Sequence, residues 1–160
     1  MKSLIWLEEQ KNISIPLVLT GAKASGAEKV LKFIEENKLS NVYYIGKVPF
    51  EDIISLYKRA RFLISASLHE SSCLPVLEAA ASGVPIITSD IPPNVEMSKD
   101  ILMNIFPATD HAFLGNMIAD LLTKTDVLSN QINHNRISIE NYSWKKIAKK
   151  YLDFFEKIKL

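Results

Sequence analysis

Residues 62–88 read FLISASLHESSCLPVLEAAASGVPIIT, and this stretch decides the fold. Phe62 to Ala66 is a short, nearly continuous apolar run, as expected of a strand buried on both faces. Pro75 suits the first position of a helix, where its missing N–H costs nothing, and Gly83 suits its end. Val84 to Thr88 is a second apolar run, with Pro85 at its start, where a missing donor is tolerated. Strand, loop, helix and strand at this spacing form a crossover unit that pairs its two strands in parallel.

The same alternation continues on both sides. Upstream, Lys2 to Lys11 is an uncapped helix with Leu4, Ile5 and Leu7 on its apolar side. Ile15 to Thr20 is a strand expected to be buried on both faces, and a small, flexible loop runs from Gly21 to Gly26. Ala27 to Asn37 is an amphipathic helix, with Val30, Leu31, Phe33 and Ile34 against acids and lysines. Asn41 to Ile45 is a strand closed by Gly46. Glu51 to Arg61 is a helix with Ile53, Ile54, Leu56 and Tyr57 inward. Downstream, Ser89 to Pro93 reads as a loop, Ile101 to Phe106 as a fifth strand, and Ala112 to Leu122 and Val127 to Glu140 as helices. The expected fold class is α/β: a three-layer, Rossmann-like domain with a mostly parallel sheet flanked by helices. In such sheets ligands sit beyond the carboxyl ends of the strands, so the loops at Gly21, Lys47-Val48, Glu70 and Ser89-Asp90 should line one edge.

The chemistry concentrates in the loop and helix of the opening stretch. Glu70 and Glu78 flank Ser71-Ser72-Cys73-Leu74-Pro75. With Pro75 first in the helix, Leu74 is the expected cap residue, and leucine has no oxygen to satisfy the free N–H groups of the first turn. An uncapped helix start behind small residues suits an anion. Glu78, expected in the first turn, is not half of a capping box, because Pro75 stands where Ser or Thr would be. The plain alternative is that Glu78 complements the helix dipole and Glu70 is a surface acid.

Composition narrows the classes. The 160 residues suffice for one domain with its own core. A net charge of +1 gives no support for nucleic-acid binding. The single cysteine, Cys73, excludes an internal disulfide and a cysteine metal cage, and fits a reducing, cytoplasmic setting. The apolar start at Met1 to Leu7 meets Glu8-Glu9 and is too short for a signal peptide. The tail, Ser143 to Leu160, reads as a helix with Trp144, Ile147, Ala148, Tyr151, Phe154, Phe155 and Ile158 on one side. Lys145, Lys146, Lys149, Lys150, Lys157 and Lys159 lie on the other. The expected use of its apolar stripe is packing on its own protein. Peripheral contact with anionic lipid at the inner face of a membrane is the alternative.

The glutamate pair with Leu74-Pro75-Val76-Leu77-Glu78-Ala79 resembles the donor-site signature of retaining glycosyltransferases of family 4, the glycosyl transferases group 1. The resemblance continues in order along the chain. It takes in Val42 to Gly46 with Lys47-Val48-Pro49, then Leu56-Tyr57-Lys58-Arg59-Ala60 and Ser65 to Glu70. Ser82 to Ser89 and Tyr142-Ser143-Trp144 complete it. It implies the C-terminal, nucleotide-sugar half of a GT-B fold, here one domain over 1–160. The chemistry it implies is hexosyl transfer from a nucleotide-diphospho-sugar with retention at the anomeric carbon.

By this resemblance Glu78 takes the ribose hydroxyls and Glu70 is the active-site carboxylate beside the donor sugar. The N–H groups of Ser72, Cys73, Leu74 and Val76 face the sugar and diphosphate. Lys47 and Val48 border the base through their backbone, and the Gly21 loop joins the donor side. The implied partners are the donor and an acceptor glycan or lipid-linked glycan, in polysaccharide, lipopolysaccharide or capsule assembly. No cofactor and no metal are implied, and no nucleic acid. Ser71 and Cys73 stand where the family usually has glycines, and Ser72 where it has an aromatic. The resemblance implies that the first strand of the domain with its basic loop, which has no match before Lys2, and the N-terminal acceptor domain are missing. A fragment inactive by itself is therefore expected, the alternative being an interaction module that kept the fold and lost the site.

Overall fold

The computed structural model describes residues 1–24 and 26–158. Ser25, within the expected loop at 21–26, and Lys159 and Leu160, at the end of the expected tail helix, lie outside the described residues. The chain divides into two compact units, and the division falls between Leu56 and Tyr57 and again on either side of 109–123.

The first unit, 1–56 with 109–123, holds α1 (Lys2–Lys11), β1 (Leu17–Thr20), α2 (Ala27–Glu36), β2 (Val42–Gly46), most of α3 (Phe50–Arg59) and α6 (His111–Thr123). β1 and β2 pair in parallel from Leu17↔Val42 to Leu19↔Tyr44, and the register slips before Thr20↔Gly46. The expectation that β1 is buried on both faces is corrected by its alternating burial. One face carries Leu19 and Tyr44, which line a shallow groove with Ala27, Val30 and Leu31 of α2. Val18, Tyr43 and Ile45 share the other face and are about half exposed. Ile54 of α3, read as inward, is also exposed. α1 buries Leu4 and Leu7 and packs on α6. The contact depends on Gly115: a Cβ there would come within 2.5 Å of the Trp6 ring.

The second unit, 57–108 with 124–158, holds the opening stretch of sequence. Its strands β3 (Leu63–Ser65), β4 (Ile86–Ser89) and β5 (Asn104–Phe106) form a parallel sheet in that order. All four residues of β4 are buried, as a central strand requires. Helix α4 (Leu74–Ser82) buries Val76, Ala79 and Ala80 in a core with Cys73, Val84, Ile86 and Ile101. α7 (Thr125–Ser138), a 3-10 turn at Ile139–Tyr142 and α8 (Trp144–Ile158) complete the unit. Gly83 closes α4 in the left-handed region at φ 72°, a conformation glycine adopts freely.

The parallel pairings are as read, with β1 and β2 in the first unit and β3, β4 and β5 in the second. Two further expectations change. The stretch read as a loop at 89–93 runs into α5 (Pro92–Met97), whose Pro92 takes the first helical position. The tail helix α8 buries none of its residues, and of its apolar stripe only Ile147, at its start, is half-buried among the described residues. Trp144 is 84% exposed, and Tyr151, Leu152, Phe154, Phe155 and Ile158 are each more than half exposed.

Candidate functional site

The site is built at the carboxyl ends of β3 and β4. The chain leaves β3 through Ser67 and reaches Glu70 three residues on. The Ser67 hydroxyl donates to Glu70 Oε1 at 2.7 Å, fixing a half-buried carboxylate against its own loop. The loop is tied to the next strand, because the Ser89 hydroxyl at the end of β4 donates to the Ser67 carbonyl at 2.6 Å. Asn94 of α5 is fully buried below this junction and donates through Nδ2 to the Ser89 carbonyl at 3.0 Å. Its Oδ1 has no partner among the described residues.

The helix start differs from expectation by one residue. Cys73, not Leu74, is the cap, and Pro75 is the second helical residue. Cys73 offers no side-chain bond to the first turn, so the helix start is uncapped, as read from the sequence. Its side chain turns inward: Cys73 is 2% exposed and its Sγ lies 3.3 Å from Ser65 Oγ. The Cys73 side chain therefore fills the core and not the loop. Of the four N–H groups assigned to a ligand, two are engaged within the chain. Leu74 donates to the Ser72 carbonyl at 3.1 Å and Val76 to the Cys73 carbonyl at 3.0 Å. Those of Ser72 and Cys73 have no protein acceptor among the described residues.

Because the helix begins at Leu74, Glu78 stands in its second turn and not its first. It is exposed, but one oxygen is held: the Tyr57 hydroxyl donates to Glu78 Oε2 at 2.9 Å. Burial against the core pushes the Tyr57 phenol well above its ordinary range, and the Glu78 hydrogen bond and charge push it further. The phenol is therefore the fixed donor and the carboxylate the acceptor. Sequence reading had Tyr57 as an inward helix residue within the matched run Leu56 to Ala60, but paired neither it nor Ser67 with a glutamate. Its available signals were the tyrosine within Leu56 to Ala60 and a hydroxyl three residues before Glu70.

Gly21, Lys47 and Val48 belong to the first unit. Gly21 is at positive φ (126°), and its carbonyl accepts from the Tyr44 hydroxyl at 2.7 Å. Its N–H reaches the Gly46 carbonyl at 2.9 Å, so the Gly21 loop and the end of β2 just before Lys47 are neighbours at one end of the β1–β2 pair. Lys47 is exposed and Val48 half-buried. Among the described residues no cluster of three or more His, Cys, Asp or Glu could hold a metal ion.

The parallel strands with helices between them are a fold shared with solved glycosyltransferase structures. A glycosyltransferase from Rickettsia africae superposes with a TM-score of 0.84 at 21% identity, over 98% of this chain and 44% of its own. The Anabaena protein HepE, solved in complex with UDP, superposes at 0.83 with 15% identity, over 99% of this chain and 45% of its own. The family model for glycosyl transferases group 1 matches residues 2–138, and the chain belongs to that family. O-antigen chain mannosyltransferase B of Escherichia coli is 27% identical over 143 residues, 89% of this chain. The chain spans 33% of the length of that relative.

Proposed function

We propose that this chain is the donor-binding domain of a retaining glycosyltransferase acting in cell-envelope polysaccharide assembly. The donor is a nucleotide-diphospho-hexose, and the acceptor is a glycan or lipid-linked glycan brought by a further domain. The observation that carries this reading is the pair of held carboxylates on either side of an uncapped helix start. Glu70 is fixed by Ser67 and Glu78 by Tyr57. Between them the free N–H groups of Ser72 and Cys73 suit the oxygens of a diphosphate. Glu78 offers acceptors to the two ribose hydroxyls. Glu70 lies beside the donor sugar, where a carboxylate stabilises positive charge developing at the anomeric carbon. The E. coli relative is named a mannosyltransferase and a Xanthomonas oryzae relative, 25% identical, a GDP-mannose-dependent one, which makes GDP-mannose the first donor to try. The exposed apolar side and lysines of α8 also support peripheral contact with an anionic membrane face.

The test is the melting temperature of the purified chain with GDP, UDP or ADP. A ligand of the native state at a hundredfold excess over its Kd adds about 2.7 kcal/mol, or several degrees in a protein of this size. One nucleotide is expected to give that shift, and Glu78→Gln to remove most of it without lowering the unliganded Tm. No shift with any of the three at millimolar concentration rejects a working donor site and favours the interaction module.

A further inference from the structure

We infer that Tyr57 is a positioning residue that sets the ribose specificity of the site by holding the Glu78 carboxylate. The inference rests on Glu78 being the ribose-binding group. Glu78 is exposed on the second turn of α4, where a free glutamate samples several rotamers. Its Oε2 is instead tied to a phenol that is itself fixed. The Tyr57 ring packs against the buried cluster of Cys73, Val76, Ala79 and Ala80, and its carbonyl accepts from the Ala60 N–H at 2.9 Å as α3 ends. The core thus reaches the carboxylate through one rigid ring.

The consequence is preorganisation. A carboxylate already oriented loses less rotamer freedom when two hydroxyls bind it. Tyr57 takes one lone pair of Oε2 and leaves Oε1 and the rest of Oε2 as acceptors. A packing role alone needs only the ring, which phenylalanine supplies equally. The hydroxyl is what distinguishes the two roles.

The experiment measures Kd by calorimetry for the nucleoside diphosphate that raises the Tm, and for its deoxy and dideoxy analogues. It uses the wild-type chain, Tyr57→Phe, Glu78→Gln and the double variant. The wild type is expected to prefer the ribonucleotide. Tyr57→Phe should raise its Kd about three- to tenfold while leaving the dideoxy analogue within about twofold, with the Tm unchanged. In the Glu78→Gln background the same substitution should change Kd less than about twofold, because the two groups act as a unit. If Tyr57→Phe leaves the preference for ribose intact while Glu78→Gln abolishes it, the inference falls and the assignment of Glu78 stands. Equal weakening of all three nucleotides with a lowered Tm makes Tyr57 structural and also overturns the inference. A wild-type chain that binds no nucleotide, or binds it without regard to ribose, rejects the Glu78 assignment and the inference with it.

Discussion

Helices α4 and α8 belong to the same unit and meet opposite fates. α4 has nine residues, few of them polar and with a weak apolar period, yet it is anchored in the buried core. α8 has fifteen residues and a strong apolar stripe, and none of them is buried. The difference teaches what amphipathicity reports. A helix apolar on nearly every side has no stable place except inside. A sharply two-sided helix declares that one face wants a partner, without naming it. On α8 the partners nearest to hand are its own rings, with Tyr151 and Phe155 centred 6.3 Å apart and Phe154 and Phe155 6.0 Å apart.

The contrast can be broken by experiment. Val76 is fully buried in α4, so Val76→Asp should cost about 4 kcal/mol or more, seen as a collapse of the urea midpoint. A loss under about 1 kcal/mol would mean that α4 is not core. Gly83→Ala puts a side chain at φ 72° and should cost about 1 kcal/mol, with the added Cβ in ordinary contact with Arg136 and Ile132. A smaller difference comes from the phenol under α4. The folded state holds the proton of Tyr57 more tightly than the unfolded chain does. The resulting stability is complete below about pH 10, the ordinary tyrosine value, and is lost as pH rises above it, because the unfolded phenol ionises first. Wild type should therefore keep pace with Tyr57→Phe in neutral buffer, in line with their equal Tm, and lose stability against it as the pH rises above about 10. Smallest of all, Phe154→Ser with Phe155→Ser should move the urea midpoint by less than about 0.5 kcal/mol, as surface changes do. A loss like that of Val76→Asp would show the face of α8 to be packed.

The same contrast explains what could be read in advance. Buried β4 and the helix between Pro75 and Gly83 are legible because apolar runs and a proline–glycine pair leave few alternatives. Glu70 and Glu78 stood out as acids beside a helix start with no cap. α5 escaped notice because six residues are too few to show a period, and Pro92-Pro93 resembles a loop until Pro92 is seen as a first helical residue. Burial of β1 was misjudged because Val18 is apolar whether or not anything covers it. The hydroxyls of Tyr57 and Ser67 were beyond reach for a different reason. Which hydroxyl meets which carboxylate depends on side-chain geometry that no spacing records.

α7 carries one further consequence. Gln131 and Asn135, a turn apart and both buried, each grip the main chain of a residue on the sheet side. The Ile86 N–H donates to Gln131 Oε1 at 3.0 Å, one residue before β5 joins at Ile87↔Asn104. The Leu102 N–H donates to Asn135 Oδ1 at 2.8 Å, and Asn135 Nδ2 returns a bond to the Leu102 carbonyl at 2.9 Å. These two amides are hydrogen-bonded by a helix and not by a neighbouring strand. Their deuterium uptake is therefore a clock for the lifting of α7, running independently of the opening of the sheet.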